Sequence, residues 1–175
     1  PDPIIFRDMK PSNVMINHNG DVMLVDFGIA KSFQSGIKGT MIGTEGYSPP
    51  EQYRGEATPA ADIYAMGATI HHALTRRDPR LEPPFSFVER PVRRINPSVS
   101  PELEVIINRA LEYDPVSRYK SALEMKEALM SVARKTGLLV RMGTQTGPVV
   151  KASGIKPLWT FKTEDEIRGT PTVFQ

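Results

Sequence analysis

The 175-residue chain has no cysteine. That excludes a disulfide framework and any thiolate metal site. No apolar run approaches the ~20 residues of a membrane span, and no signal peptide is visible. The three histidines show no metal-ligand spacing with carboxylates, so they read as solvated or helix-surface residues. An excess of charge of one sign is also lacking, with 22 Lys and Arg against 20 Asp and Glu. A net charge of +2 is too small to argue for nucleic acid or a membrane surface. With 39% hydrophobic and 24% charged residues, the composition is that of an ordinary globular domain. The chain opens "PDPIIF" without a Met, which leads us to expect upstream sequence, and any targeting signal with it.

Three zones follow. In the first, residues 1–132, "DVMLVDFG" alternates and is β-branched like a short strand ending in a Gly turn. The preceding "HNGD" is a turn of Asn-Gly type, which predicts a hairpin of Val14–Ile16 with Val22–Val25. Gly, Thr, Ser and Pro then dominate from Ser32 to Pro50, as in a long functional loop. Ile63, Met66, Ile70 and Leu74 recur at helical spacing after Pro59. Leu103, Ile106, Ile107, Ala110 and Leu111 predict a second helix, with Ser100 as N-cap and Pro101 at its first position. Ala122, Met125, Leu129 and Val132 predict a third. Residues 76–97, rich in Pro and Arg, read as irregular. Residues 133–156 have no sustained period and read as a linker. Residues 157–175 hold two strand-like pieces about an acidic turn.

Chemistry concentrates in "IFRDMKPSN", Ile5 to Asn13, and in "VDFG". Asp8, Asn13 and Asp26 offer hard oxygens, and Lys10 is a cation. Such a group suits phosphate and magnesium, because Mg²⁺ takes carboxylate and amide oxygens and completes its shell with water and phosphate. A carboxylate can orient a hydroxyl nucleophile, and a lysine can neutralise charge on a transferred phosphoryl group.

"FRDMKPSN" resembles the catalytic loop of eukaryotic-like Ser/Thr protein kinases of the bacterial type. "DFG", Asp26–Gly28, is similar to their metal-binding turn, and "GTEGYSPPEQY", Gly43–Tyr53, to the end of their activation segment. "DIYAMG", Asp62–Gly67, resembles the start of the helix anchoring their C-terminal lobe, and Arg118 in "DPVSRY" the arginine between their last helices. The resemblance implies that Asp8 orients or deprotonates the substrate hydroxyl and that Lys10 contacts the γ-phosphate of ATP. It implies that Asn13 and Asp26 hold Mg²⁺, or Mn²⁺ in its place. Arg7 would receive a phosphorylated activation-loop residue, with Thr40, Ser35 and Ser32 as candidates. Phe27 and Gly28 complete the metal-binding turn. Thr44 would sit beside Asp8 and Lys10. Glu51 and Arg118 would form a buried ion pair, and Asp62 would accept from backbone amides of the catalytic loop.

Two residues depart from the family. Phe6 stands where a histidine is usual, so it should keep an apolar stack with Phe27 but lose a hydrogen bond. "PPE", Pro49–Glu51, replaces Ala-Pro-Glu. The glycines of "GIKGTMIG" fall in the activation segment, and neither a Gly-rich phosphate loop nor a strand lysine precedes the catalytic loop. The expected fold is therefore a mainly α, kinase-like C-terminal lobe with a small catalytic hairpin, without its N-terminal lobe and with a short β segment at the C-terminus. The tail, "PLWTFKTEDEIRGTPTV", is similar to the opening of a quinoprotein-type (PQQ-like) β-propeller repeat; an unrelated hairpin is the alternative.

The expected function is transfer of the γ-phosphoryl of ATP to Ser/Thr hydroxyls of protein substrates, including autophosphorylation in trans. This chain alone should be inactive, and its expected location is cytoplasmic. The alternative is a pseudokinase scaffold. Arg76, Arg77, Arg80, Arg90, Arg93 and Arg94 read as solvated surface or as a docking site for an acidic partner. Ser32, Ser35 and Thr40 read equally as plain loop residues.

Overall fold

The computed structural model describes residues 4–28, 31–32 (backbone only), 43–56 and 58–137. Ser35, Thr40 and the propeller-like tail lie outside the described residues, as does most of the expected linker. The described part is mainly helical with two small two-stranded sheets. β1 (Ile4–Ile5) pairs antiparallel with β4 (Lys31–Ser32), and β2 (Val14–Ile16) with β3 (Val22–Leu24). The β2–β3 turn is closed by Asn17, whose side-chain oxygen accepts from the amides of Asn19 and Asp21, both at 2.9 Å.

Five helices follow: α1 (Pro50–Tyr53), α2 (Pro59–Thr75), α3 (Val92–Ile95), α4 (Pro101–Ala110) and α5 (Ala122–Lys135). Proline occupies the first turn of α2 and α4, where its missing N–H has no helical partner to lose. Ser100 and Ser121 cap α4 and α5 by accepting from the amides of Leu103 and Glu124. α5 continues through Lys135, past Ala133, where the sequence suggested a linker.

α2 is the central element. A single apolar stripe was expected, yet its buried residues lie all round it, including Ala61, Ile63, Tyr64, Ala65 and Ala68. A helix buried on every side belongs to a core rather than to a surface. It meets β1, α3 and α4. At the α4 crossing, a Cβ on Gly67 would sit 2.9 Å from the Ala110 Cβ, so glycine sets how closely the helices approach. Tyr64, Phe87, Val92, Val99 and Ile107 form one core cluster on α2, and Ile63, Ile106, Tyr119 and Met125 a second.

Two expectations need correction. Residues 76–97 are not irregular throughout. They contain α3 and 3-10 turns at Pro79–Leu81 and Phe87–Glu89, and they supply Phe87 and Val92 to the core. Asp78 starts the first turn by accepting from the Arg80 amide at 3.0 Å. His71 is not a surface histidine; it is 1% exposed. Its Nε2–H donates to the Arg90 carbonyl at 2.8 Å, and its ring stands edge-on to Phe87. It lies three and four residues after Ala68 and Gly67, on a buried side of α2, a spacing the sequence already carried.

Glu51 of α1 and Arg118 form a bidentate ion pair, with Nη1 to Oε1 at 2.6 Å and Nη2 to Oε2 at 3.0 Å. Both side chains are almost wholly buried. Arg118 also donates from Nε to the Glu112 carbonyl at 2.7 Å, from Nη1 to Ala60 at 3.0 Å and from Nη2 to Tyr113 at 3.1 Å. Every guanidinium N–H therefore has an acceptor. The cation also lies over the Tyr64 ring, 4.9 Å from its centroid.

Arg118→Leu strands the Glu51 carboxylate in the interior. It should lower unfolding stability by about 3–5 kcal/mol, read as a fall in the urea midpoint at pH 7; an unchanged midpoint contradicts the role given to the pair. Burial holds the His71 imidazole below its ordinary pKa, against the pull of the Arg90 carbonyl. The unfolded chain therefore binds the proton more readily than the fold. This contribution to stability should be present above the unfolded histidine range, about 6.5, and be lost as pH falls from there toward the depressed value. In His71→Gln that histidine-linked slope should vanish from urea midpoints measured against pH.

Candidate active site

The site is assembled on one strained peptide unit. Arg7 has φ 66°, in the left-handed region that L-residues other than glycine seldom occupy. It is clamped on both sides. The amides of Phe6 and Arg7 donate to the Asp62 carboxylate of α2 at 2.7 and 2.8 Å. The Arg7 carbonyl accepts from Gln52 Nε2 of α1 at 3.0 Å. Strain of this kind costs of order 1–3 kcal/mol and persists only where its surroundings over-determine it. Burial pushes the Asp62 pKa up, and the Phe6 and Arg7 amides and the Arg7 charge only partly offset this.

The clamp presents Asp8 to Lys10, Asn13 and Thr44. Asp8 Oδ1 accepts from the Thr44 hydroxyl at 2.5 Å, and Oδ2 pairs with Lys10 Nζ at 2.8 Å. Lys10 Nζ also donates to the Thr44 oxygen at 2.8 Å. A 3-10 turn, Pro11–Asn13, brings the Asn13 side chain back under the loop. Its Nδ2 donates to both the carbonyl and Oδ2 of Asp8, each at 2.9 Å. Burial raises the Asp8 pKa, but hydrogen bonds from Lys10, Thr44 and Asn13 outweigh it, and the carboxyl sits below its ordinary value. Asp8 is therefore an ionised acceptor at neutral pH.

Thr44 arrives on the segment before α1. Gly43 has φ 143°, and a Cβ there would come within 2.2 Å of Gln52 Nε2 and of Ser48 Oγ. Only glycine lets the chain pass Gln52 at this point. The Thr44 carbonyl accepts from the amides of Tyr47 and Ser48 and from Ser48 Oγ. Tyr47 is buried and hydrogen-bonds to His72 Nδ1 at 2.6 Å, and its hydroxyl is pushed up to about 12, chiefly by burial. The sequence reading missed Gln52, Tyr47 and His72; all three act through long-range contacts that no local spacing marks.

Asp26 stands slightly apart. The hairpin register carries it toward Asn13, since the Val25 amide donates to the Asn13 carbonyl at 3.0 Å. Asp26 has φ 65° and is exposed, with the Gly28 amide at 3.4 Å from its Oδ1. Among the described residues no hydrogen bond or ion pair joins Asp26 to Asp8, Lys10 or Asn13. Phe27 meets Phe6 edge-on with ring centroids 5.0 Å apart, although Phe27 is 57% exposed. The apolar contact expected of Phe6 is thus present. Ser32 lies in β4 by its backbone. Of the arginine run, Arg77 pairs with Glu82, Arg80 with Asp78, and Arg93 Nε donates to the Val99 carbonyl. Arg90 is largely buried over Phe87. Most of that run is therefore engaged within the chain rather than offered to an acidic partner.

The donor set can be tested against a hard divalent cation. Asn13 spends Nδ2 on Asp8, which leaves its Oδ1 as an oxygen donor, and the Asp26 carboxylate is spent only on the long Gly28 contact. Among the described residues no three His, Cys, Asp or Glu side chains converge. One carboxylate and one amide oxygen fit Mg²⁺, which keeps its remaining positions for phosphate and water, and fit poorly a metal that needs a full protein cage.

Removing the Lys10 or Thr44 contact should raise the Asp8 pKa, with Lys10→Met raising it more than Thr44→Val. Carboxyl-carbon NMR titration reads this directly. A fall, or no change in both variants, contradicts the assigned network. The depressed Asp8 value adds stability present above its unfolded pKa of about 3.9, lost as pH falls through the folded value.

Residues 2–130 match the protein kinase domain model. A probable serine/threonine-protein kinase of Streptomyces coelicolor is 39% identical over 137 residues, covering 70% of this chain and 20% of its own. The serine/threonine-protein kinase PknB of Mycolicibacterium smegmatis is 37% identical over 143 residues, covering 74% and 23%. PknA of a Nostoc species is 35% identical over 136 residues, covering 72% and 24%. The chain thus spans about a fifth to a quarter of the length of these curated relatives. With the matched region covering most of the sequence, the chain belongs to the protein kinase domain family.

Proposed function

We propose that this chain carries the catalytic loop and substrate-facing segment of a Ser/Thr protein kinase, which transfers the γ-phosphoryl of ATP to protein hydroxyls. The observation that carries the reading is the Asp8–Lys10–Thr44–Asn13 network. Asp8, ionised and fixed by three side chains, is placed to accept from a substrate Ser or Thr hydroxyl and to aim its lone pair. Lys10 lies on the same carboxylate and can follow negative charge as it gathers on the transferred group. Asn13 and Asp26 would hold Mg²⁺, which when bound supplies charge neutralisation for the phosphates. Nothing in a binding scaffold requires all four groups, and their joint geometry favours catalysis over that second reading.

Exposed apolar surface is consistent with a further part of the domain resting on this one. Ile16 and Val22, facing each other in the hairpin, are 69% and 63% exposed. Ile4, Phe6, Leu24, Phe27, Met66 and Leu129 line a cleft of about 440 Å³. A preceding lobe that binds ATP would cover such a face, and we propose that the chain needs it for activity. Among the described residues no helix is long and apolar enough to cross a membrane.

In the protein with its complete kinase domain, Asp8→Asn should abolish phosphate transfer while leaving the unfolding free energy within about 1 kcal/mol of the parent. Undiminished transfer would falsify the role of Asp8. Phe6→His should change kcat by no more than about tenfold, since a single hydrogen bond is worth ~0.5–1.5 kcal/mol. A collapse of activity would show that Phe6 is irreplaceable beneath Phe27.

A further inference from the structure

Away from Asp8, three aromatic side chains form an exposed ladder. Tyr53 at the end of α1 meets Phe85 edge-on at 5.9 Å, and Phe85 meets Tyr113 edge-on at 6.0 Å. They are 37%, 38% and 60% exposed. Two clefts open along the ladder and share Phe85 and Tyr113. One, of about 360 Å³, runs from Glu45 past Tyr53; the other, of about 320 Å³, runs to Glu112. Phe85 is held at φ 57°, so its ring is presented by a strained backbone rather than by a relaxed loop.

The rim carries charge of one sign in excess. Glu45 and Glu112 are exposed and have no ion-pair partner among the described residues, while the rim cation Arg54 already pairs with Glu56 at 3.3 Å. The groove begins beside the catalytic network, because Glu45 follows Thr44, which donates to Asp8. Its far wall is rigid, because the Glu112 and Tyr113 carbonyls both accept from Arg118.

We infer that this aromatic groove docks a segment of the protein substrate that bears an apolar anchor flanked by Lys or Arg. The inference rests on the kinase reading for the identity of the occupant as substrate. The anchor fills the space between the rings, where aromatic walls give large contact area at low entropic cost. The flanking cations meet Glu45 and Glu112 at the rim. Docking there tethers the substrate and raises the local concentration of its acceptor hydroxyl at Asp8.

A fluorescent peptide with a Leu-Phe centre between arginines tests this by polarisation on the 175-residue chain, without any need for catalysis. It should bind, its Glu-flanked counterpart should not, and Tyr113→Ala or Glu112→Lys should each weaken binding by about fivefold or more. In the protein with its complete domain, the same variants should raise KM for a substrate carrying that segment. They should leave kcat and the KM of a short acceptor peptide unchanged. Binding with no transfer by the parent would remove the kinase reading and leave the groove. No peptide binding, binding indifferent to both variants, or a concentration-dependent dimer that Tyr113→Ala dissolves would overturn the inference.

Discussion

The Glu51–Arg118 bridge is the constraint on which the rest of the structure depends. It ties together three stretches that no local propensity would bring into contact: α1, the first turn of α2 through the Ala60 carbonyl, and the Glu112–Tyr113 turn before α5. A buried ion pair is poor ground for net stability, since desolvation consumes most of its attraction. Its effect here is to select one arrangement. With every guanidinium N–H committed, Arg118 fits no shifted register of α1.

From α1 the constraint reaches the chemistry in two bonded steps. Gln52 follows Glu51 and donates to the Arg7 carbonyl, and Arg7 precedes Asp8. The opposing clamp comes from Asp62, one residue before the Ile63 that packs into the core. Asp8 is therefore aimed by the helical core rather than by the loop it sits in, which suits a group that must be positioned to fractions of an ångström. The same bridge fixes the aromatic groove, since Tyr53 lies two residues beyond Glu51 and Tyr113 gives its carbonyl to Arg118. The Asp8 loop and the groove thus share one rigid support.

Much of this was legible in the sequence. The hairpin, the helix at Pro59 and the Ser100 cap each follow from a few neighbouring residues, and they appear where the sequence placed them. The motif at Asp8 gave the network because its members, Thr44 apart, fall within a few residues of each other. What the sequence hid was long-range or context-dependent. Phe87 and Val92 lie amid prolines and arginines with no period to mark them, and become core because α2 needs a cover there. His71 is polar by type, and its burial depends on the Arg90 carbonyl reaching it. The Tyr53–Phe85–Tyr113 ladder joins three segments far apart in the chain, so no window of sequence contains it.

The central claim is that this fold holds a working phosphoryl-transfer loop rather than a relic of one. Mass spectrometry of a Ser/Thr-containing protein, incubated with Mg²⁺, ATP and the protein bearing its complete kinase domain, tests it most directly. The account predicts phosphate on serine or threonine hydroxyls, dependent on the divalent cation. Binding of ATP and the cation by folded protein with no phosphate transferred to any hydroxyl would contradict it.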